Sequence, residues 1–382
     1  MLILGAGFAG LSAAEQLEPL AARGAADVLL VDGAPAFQMG FAMQWALAGR
    51  RPPEAGSRPY GQVAFRHVRF LNEEVRNINT QARTVQTTRS TLGYDWLVVA
   101  MGAQPHPGAM PGLASGAFDL FTMESVLRLR AELMRGAAGT VVVLVAGVPF
   151  KCPPAPYEYA LLIDDLLRER GVRDAFTVEV VTPEPQPMPV AGPEVGRQVQ
   201  ALLAARGVAL RTGRKAVGVD PAGRSVRFEE GDPLKYTVLA AVPPHRAPPV
   251  VAAAGLCDAS GFVPVQLGSF ATKDERVFAV GDVAALQLPS GKPHPKAGVF
   301  AEAQGAAVAQ SIAARVDGGQ EPRYAGQGTC FVDVGAGQAA AARADLLAEG
   351  GPRFSMDAPS ARALEEKAAF EAGRLARWFR AP

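Results

Sequence analysis

The chain opens with Met1-Leu2-Ile3-Leu4-Gly5-Ala6-Gly7-Phe8-Ala9-Gly10, an apolar run that leads directly into the pattern G-x-G-x-x-G. Apolar residues then recur at helical spacing, so the pattern predicts a strand, a tight turn and a helix. In such a unit the first glycine permits the turn, the second lets a pyrophosphate approach the backbone, and the third lets the helix pack on the strand. The opening residues therefore predict a dinucleotide-binding unit, with an ordinary βαβ turn as the alternative.

A second apolar strand over residues 28–31 ends in Asp32 and is followed by Gly33. Asp32 comes roughly 20 residues after the last glycine of the motif, the usual spacing for a carboxylate that accepts a hydrogen bond from a ribose hydroxyl. The order of strand, glycines, helix, strand and terminal acid favours a dinucleotide whose ribose carries no 2′-phosphate.

Composition excludes several classes of protein. The 382 residues contain 38 Lys+Arg and 37 Asp+Glu, so no basic footprint for nucleic acid is present. Three cysteines are too few for a secreted disulfide framework, and the cysteines and four histidines lack the close spacing of a metal site. Charges interrupt the apolar runs and no export signal is visible. We therefore expect a soluble or peripheral membrane protein, with the side of the membrane left open.

Strands and helices alternate along the chain with frequent glycine and proline punctuation, which predicts an α/β fold. We expect two Rossmann-like doubly wound domains with a C-terminal cap. The predicted boundaries are 1–105 plus 236–315 for a discontinuous first domain, 106–235 for the second Rossmann-like domain, and 316–382 for the cap and an amphipathic helix.

Two further strand ends resemble the motifs with which flavoproteins of this type complete an FAD site. One strand ends in Ala100-Met101-Gly102, with Met101 in place of the usual threonine, and another ends in Gly281-Asp282. Pro295 precedes a helical stretch whose N-terminus could stabilise negative charge on a reduced flavin. The resemblance implies a glutathione-reductase-like FAD fold in which the discontinuous domain, 1–105 plus 236–315, is the FAD-binding domain. It implies FAD held by Gly5, Gly7, Phe8, Ala9, Gly10, Asp32, Gly33, Ala100, Met101, Gly102, Gly281, Asp282, Lys296, Ala297 and Gly298.

A second strand-helix-strand unit is predicted from a strand at 141–145, a helix at about 156–170 and a strand at 177–181. Its turn reads Ala146-Gly147-Val148-Pro149-Phe150-Lys151-Cys152-Pro153-Pro154. Only one glycine is present, and prolines and bulky side chains stand where a pyrophosphate needs bare backbone. Binding of NADH or NADPH is therefore disfavoured.

Cys152 lies just before the predicted helix and next to Lys151. A helix N-terminus and a neighbouring cation both lower a thiol pKa, so this position predicts a reactive thiolate, with a buried packing cysteine as the alternative. Cys330 lies far along the chain, and the residues alone leave open whether the two sulfurs meet. Cys257 is interpreted as structural.

The segment Lys151-Cys152-Pro153-Pro154-Ala155-Pro156-Tyr157-Glu158, with Gly328-Thr329-Cys330, resembles the paired redox cysteines of sulfide:quinone oxidoreductases and flavocytochrome c sulfide dehydrogenases. The resemblance covers nearly the whole chain. It implies that Cys152 and Cys330 lie beside FAD and oxidise sulfide, or another small sulfur donor, to sulfur or polysulfide. The implied electron acceptor is a quinone, with cytochrome c as the alternative. No cysteine occupies the segment where flavocytochrome relatives attach FAD, so FAD is expected to be noncovalent.

Several groups are candidates for supporting roles. Lys296 could stabilise an anionic reduced flavin, and Glu158, His106 and His245 could move protons, although each also has an ordinary structural explanation. Residues 360–380 form either a helix that contacts a membrane surface or a helix docked on the protein. Two other functions stay open: a type II NADH dehydrogenase, whose Pro-Lys-Ala-Gly-Val-Phe-Ala segment is similar to residues 295–301, and a non-enzymatic flavoprotein scaffold.

Overall fold

The computed structural model describes residues 1–380. This part of the chain contains nine α-helices, at Phe8–Ala22 (α1), Ala42–Ala48 (α2), Leu113–Gly116 (α3), Met123–Arg135 (α4), Ala155–Glu169 (α5), Gly192–Ala205 (α6), Pro249–Ala253 (α7), Gly298–Asp317 (α8) and Ala361–Trp378 (α9).

The same residues form 25 β-strands, many of them short: Leu2–Leu4 (β1), Leu29–Asp32 (β2), Ala36–Gln38 (β3), Ser57–Pro59 (β4), Arg69–Asn72 (β5), Val75–Asn79 (β6), Thr84–Thr87 (β7), Thr91–Gly93 (β8), Leu97–Val99 (β9), Gln104–Pro105 (β10), Phe118–Asp119 (β11), Gly139–Val145 (β12), Phe176–Val181 (β13), Ala209–Arg211 (β14), Ala216–Asp220 (β15), Ser225–Phe228 (β16), Leu234–Lys235 (β17), Val238–Val242 (β18), His245–Arg246 (β19), Val263–Pro264 (β20), Val277–Ala279 (β21), Ala284–Ala285 (β22), Gln327–Gly335 (β23), Gln338–Asp345 (β24) and Arg353–Met356 (β25).

The first large sheet has the parallel strand order β21-β9-β1-β2-β5. Three of its strands, β1, β9 and β21, are entirely buried and read as continuous apolar runs, as expected for a parallel sheet covered on both faces. Because the strands are parallel, their carboxyl ends meet at one edge. The turns that follow β1, β2, β9 and β21 therefore lie together, and these are the turns that carry the expected FAD residues.

The second large sheet has the parallel order β11-β18-β12-β13-β14, with α5 joining β12 to β13. The predicted strand-helix-strand unit agrees with these elements to within two residues, and the predicted class of two doubly wound α/β units with a C-terminal cap is confirmed. The predicted boundary at 236 is wrong, because β18 pairs along its length with β12 and is buried throughout. Residues 238–242 thus belong to the second sheet.

The C-terminal cap consists of an antiparallel sheet, β23-β24-β25, and α9. Strand β23 lies against α5 of the second unit, and α9 lies against β24. Cys330 sits within β23, opposite Ala342 of β24. The cap therefore brings a residue from the end of the chain beside the helix that follows the second turn.

Helix α9 is docked on the protein, as the second of the two alternatives for residues 360–380 expects. Trp378 is completely buried, and the basic end of the helix pairs with Glu302 through Arg374 (2.8 Å) and Arg377 (2.9 Å). The Trp378 ring therefore packs inside the protein, and Phe370 is half-buried. Among residues 1–380, every helix is too short or too polar to cross a bilayer.

Candidate active site

The first turn is shaped by two glycines that no other residue could replace without moving the backbone. Gly5 has a positive φ of 96°, and a Cβ at Gly10 would lie 1.8 Å from the Gly5 carbonyl oxygen. A Cβ at Gly7, by contrast, would meet no atom of the described chain within 4 Å. The turn is thus tightly packed on its inner side and open on the side that faces a ligand at the start of α1.

The neighbouring turns fit a dinucleotide with a polyhydroxyl chain. The Asp282 carboxylate is buried, and its Oδ1 atom has no hydrogen-bond partner among residues 1–380. A buried acceptor without a partner is costly unless a ligand supplies a donor, and a ribityl hydroxyl is such a donor. Gly102, with φ of 65°, also leaves open space where a Cβ would be. The residues present therefore fit FAD.

Asp32 and Gln304 hold the walls of this site. The Asp32 carboxylate accepts hydrogen bonds from the backbone N–H groups of Ala6 (2.7 Å) and Ala34 (2.8 Å), so it organises the first turn in addition to any ribose contact. The Gln304 side chain on α8 accepts a hydrogen bond from Gly281 N–H (2.7 Å). Sequence reasoning missed Gln304, because it lies inside a helix with no motif around it.

The second turn does not fit a pyrophosphate. A Cβ at Gly147 would lie 2.8 Å from Cγ of Pro244, so its one glycine packs against protein rather than facing open space. Pro154 and Pro156 lack N–H groups at the start of α5, and the Ala155 N–H already bonds the Cys152 carbonyl (2.8 Å). The backbone donors that hold a phosphate in the first unit are thus missing in the second.

Cys152 lies in the turn before α5, in the left-handed backbone region at φ of 58°. Its N–H donates to the carbonyl of Lys296 (2.7 Å), which ties the second turn to the segment leading into α8. Positive φ is uncommon for a residue other than glycine. The surrounding contacts therefore hold Cys152 in a strained backbone conformation at the junction of the two doubly wound units.

Cys152 and Cys330 are brought into one electrostatic environment with Glu158 and Lys367. Burial and the Glu158 carboxylate raise the pKa of both thiols, and the charge of Cys330 also raises the pKa of Cys152. The pKa of Cys330 is about 11. The Lys367 ammonium lowers the pKa of both thiols, but it does not outweigh burial.

The predicted lowering of the Cys152 pKa is therefore wrong. Lys151, the neighbouring cation on which the prediction rested, turns its amine to the Ala103 carbonyl (3.2 Å) and to the ring of Phe121 (5.2 Å). The charged groups that shift the pKa of Cys152 most are instead Glu158 and Cys330. Sequence adjacency gave the wrong neighbour because the side chain points toward the first unit.

Glu158 is buried in the first turn of α5 and forms an ion pair with Lys367 of α9. Burial raises the pKa of Glu158 to about 7, against the lowering effect of Lys367. The Lys367 amine also lies over the rings of Phe41 (5.2 Å) and Trp45 (5.5 Å). Sequence reasoning selected Glu158 but missed Lys367, which lies 209 positions away and sits in a helix interpreted only as amphipathic.

Lys296 and His245 occupy structural positions near the junction. The Lys296 amine donates to the carbonyls of Asp282 and Ala284 (both 2.7 Å), and burial lowers its pKa to about 8. His245 is buried, with Nδ1 bonded to the Pro243 carbonyl (2.8 Å), and burial lowers its pKa to about 4, so the ring is neutral near pH 7. His106 is half-buried on the connection next to β10, and Cys257 is half-buried against the first sheet's core.

An apolar cavity of about 840 Å³ lies outside the carboxyl ends of β12 and β13, where a doubly wound unit usually binds its ligand. Its walls include several prolines and the Phe150, Phe262 and Phe354 rings, and Cys330 and Lys296 lie on the same wall surface. The carboxylate of Glu184 also lines it and accepts a hydrogen bond from Tyr157 Oη (3.0 Å). The cavity is large enough for a drug-sized molecule.

Residues 1–307 match the family model described as pyridine nucleotide-disulphide oxidoreductase. The chain belongs to this family. With the fit of the first site to FAD, membership makes the protein an FAD-dependent oxidoreductase. The second turn nevertheless departs from the pyridine nucleotide site in the family's name.

Two curated relatives are about equally similar. A sulfide-quinone reductase of Aquifex aeolicus is 26% identical over 333 residues, covering 82% of this chain and 75% of its own. A type II NADH:quinone oxidoreductase of Staphylococcus haemolyticus is 26% identical over 337 residues, covering 82% of this chain and 81% of its own. Sequence identity alone does not separate these two.

Among solved structures, the sulfide:quinone oxidoreductase from Aquifex aeolicus matches with a TM-score of 0.83 at 25% identity, covering 97% of this chain and 89% of that one. The NDH2 of Plasmodium falciparum in complex with NADH matches with a TM-score of 0.71 at 12% identity, covering 89% of each chain. The second match shows the fold alone.

Proposed function

We propose that this flavoprotein oxidises sulfide, or another small sulfur donor, through the Cys152–Cys330 pair and passes the electrons to a quinone. The observation that carries the proposal is the shared environment of the two thiols, which lie under the charge of the same Glu158 and Lys367. Similarity to the Aquifex sulfide:quinone oxidoreductase over nearly the whole chain supports it.

The proposed chemistry is thiol–disulfide exchange. Hydrosulfide attacks one sulfur of the oxidised Cys152–Cys330 pair, which forms one S–S bond and breaks another. The products are a persulfide on one cysteine and a thiolate on the other, so the incoming sulfur is bound as sulfane sulfur. FAD would be held by the residues of the first site and would supply the two-electron acceptor for this chemistry.

Glu158 holds the proton that this exchange must move. Its carboxylate is buried beside both thiols, and its pKa of about 7 lets it accept and return a proton near neutral pH. The Lys367 ammonium keeps the carboxylate paired and stabilises a neighbouring thiolate. Because the pKa values of both thiols are high, a thiolate forms only where Lys367 of the Glu158–Lys367 ion pair, or an electron acceptor, stabilises its negative charge.

The cavity beside Cys330 suits the product. A single hydrosulfide needs far less space than 840 Å³, whereas an apolar enclosure of that size accommodates a growing chain of uncharged sulfur atoms. The quinone acceptor is proposed from the two quinone-linked relatives. Because a quinone dissolves in lipid, the proposal also places the working enzyme at a membrane surface, and cytochrome c is the alternative acceptor.

NADH is the alternative donor, since one close relative is a type II NADH:quinone oxidoreductase. The filled space at Gly147 and the proline-blocked start of α5 argue against it. Anaerobic addition of sulfide and, separately, of NADH to the purified yellow protein distinguishes the two donors. We expect sulfide to bleach the flavin rapidly and NADH to leave it oxidised.

Three serine variants test the role of the cysteines. Cys152→Ser and Cys330→Ser are each expected to lower the rate of sulfide bleaching by at least about 100-fold, since the exchange step then has no disulfide. Cys257→Ser is the matched control, because Cys257 is also half-buried but lies against a different core. Bleaching at the wild-type rate in either of the first two variants refutes the mechanism. A decylubiquinone or cytochrome c assay then identifies the acceptor.

A further inference from the structure

Arg50 joins three parts of the molecule through one guanidinium group. It follows α2 in the first unit, and its Nη1 atom donates to Asp333 Oδ2 (2.7 Å) on β23 of the cap. Its Nη2 atom donates to Asp165 Oδ2 (2.7 Å) on α5 of the second unit. The planar guanidinium group of arginine holds two carboxylates at a fixed separation and angle, whereas the ammonium group of a flexible lysine side chain does not.

Each carboxylate is held on its other side as well. Asp333 accepts from Trp45 Nε1 (3.2 Å) and from the Gly335 N–H (3.0 Å), and it is completely buried. Asp165 accepts from the Ala336 N–H (2.9 Å) at the turn that follows β23. The helix α5 is therefore tied to β23 and to its hairpin turn, with Arg50 as the shared cation.

These two elements carry the two cysteines. Cys152 lies just before α5, and Cys330 lies in β23, three residues before Asp333. Glu158 also lies close to both elements, since it belongs to α5 and Asp333 of β23 is among the groups that shift its pKa. Any change in the placement of α5 against β23 thus changes the approach of the two sulfurs.

We propose that Arg50 is a positioning residue that sets the separation of Cys152 and Cys330 by holding α5 against β23. This inference rests on the proposed function, because it assumes that the two thiols exchange with a disulfide. Arg50 bonds neither sulfur. Without it, Asp333 loses the ion pair with Arg50 and Asp165 keeps its pair with Arg206 (3.1 Å), so the two desolvated carboxylates share less positive charge and the contact between the two elements loosens.

The quantity affected is the equilibrium between two thiols and a disulfide. Oxidation forms one S–S bond and releases two protons and two electrons, and a disulfide forms without strain only when the two Cβ atoms lie about 3.5–4.5 Å apart. In the test the electrons go to oxidised dithiothreitol, which is reduced to its dithiol. A looser pair forms the bond less readily, so its reduction potential becomes less negative.

The experiment is an anaerobic titration of the FAD-loaded protein in buffers of reduced and oxidised dithiothreitol, with thiols counted by alkylation and mass spectrometry. For Arg50→Gln we expect the equilibrium constant for disulfide formation to fall at least tenfold, a change of about 30 mV in the potential of the pair. Arg50→Lys keeps the charge but not the planar guanidinium group, and we expect an intermediate value, which keeps the test available if the glutamine variant folds poorly.

Arg173→Gln is the matched control. Arg173 pairs with Asp164, which lies next to Asp165 on α5. Its other hydrogen bonds go to the Phe176 and Gly207 carbonyls within the second unit and not to β23. We expect its potential to equal that of the wild type. Equal potentials in wild type and both Arg50 variants, or an equal shift in the Arg173 variant, would overturn the inference alone. A wild-type pair that never forms a disulfide overturns the proposed function as well.

Discussion

The two strand-turn-helix units of this protein share an architecture and differ in what their turns leave open. In the first, Gly7 faces empty space at the start of α1, while Gly5 and Gly10 pack against backbone on the inner side. In the second, Gly147 packs against Pro244, and prolines remove backbone donors at the start of α5. One turn offers bare backbone to a phosphate, and the other offers a cysteine.

The helices that follow extend the contrast. The fourth residue of α1 is Leu11 and the fourth residue of α5 is Glu158, and both are buried. A buried leucine needs only apolar neighbours, whereas a buried carboxylate needs a partner, and Lys367 arrives from the far end of the chain to provide one. Under the proposed function, the second unit has a site for proton transfer and sulfur chemistry in place of a nucleotide site.

The largest effect that follows from this comparison is expected for Gly10→Ala. Its new Cβ would lie 1.8 Å from the Gly5 carbonyl oxygen, and the backbone fixes the positions of both atoms, so neither can rotate away. Overpacking a core typically costs ~1–3 kcal/mol, and we expect this clash to exceed that range. Thermal unfolding and the FAD content of purified protein measure the loss.

Gly61→Ala is the control for that substitution, because a Cβ at Gly61 would meet nothing within 4 Å and its φ is not positive. We expect Gly61→Ala to unfold at the wild-type temperature with a full complement of FAD. Wild-type stability in Gly10→Ala would contradict the assigned role of the third glycine.

Glu158→Gln is expected to have the next largest effect, about a 100-fold loss in the rate of sulfide-dependent bleaching, as is typical when a general base is removed. The carboxylate form of Glu158 is populated above its pKa of about 7, so the ratio of wild-type to variant rates should rise with pH through that value. Lys367, Asp333 and the two thiols surround it, and both thiols have raised pKa values.

Ionisation of sulfide itself is common to both proteins and cancels in this ratio. Glu179→Gln is the control, since Glu179 is equally buried but pairs with Arg211 on the second sheet (2.6 Å). We expect its rate to stay within about twofold of the wild type. A ratio that does not change with pH would leave Glu158 as a structural partner of Lys367 only.

The two units also differ in how much of their sites the sequence could predict. The first site rests on short motifs at one sheet edge, so Gly5, Gly7 and Asp32 could be assigned from spacing, and Gly102 and Asp282 from the resemblance of their strand ends to flavoprotein motifs. The parallel strands then bring these turns together without further information. Local chemistry and topology point to the same answer, which is why that part of the prediction agrees with the fold.

The second site depends on partners that sequence cannot pair. Periodicity in α9 predicts an apolar face that includes Ala368 and Ala372, yet both are exposed, while Lys367 and Glu371 are buried. Lys367 and Glu371 occupy the inner face because they form ion pairs there with Glu158 and Arg51, which come from distant parts of the chain. Such ion pairs form between residues that are far apart in sequence and meet only in the folded chain. The pKa of Cys152 is raised, and not lowered as predicted, for the same reason.

The smallest expected effects come from one matched pair, Gly7→Ala and Gly147→Ala. The first adds a methyl group to open space at a backbone φ of −78°, which alanine tolerates, so the protein should unfold at the wild-type temperature without FAD. Its affinity for FAD should nevertheless fall by about 10–100-fold, because the methyl group keeps the pyrophosphate from one backbone donor worth ~1.5–3 kcal/mol. The second pushes against Cγ of Pro244 at 2.8 Å and should cost about 1 kcal/mol of stability, with FAD affinity changed less than about twofold. Equilibrium dialysis and thermal unfolding measure the two quantities separately. If Gly147→Ala weakened FAD binding as much as Gly7→Ala, the conclusion that FAD binds at the first turn and not at the second would be wrong.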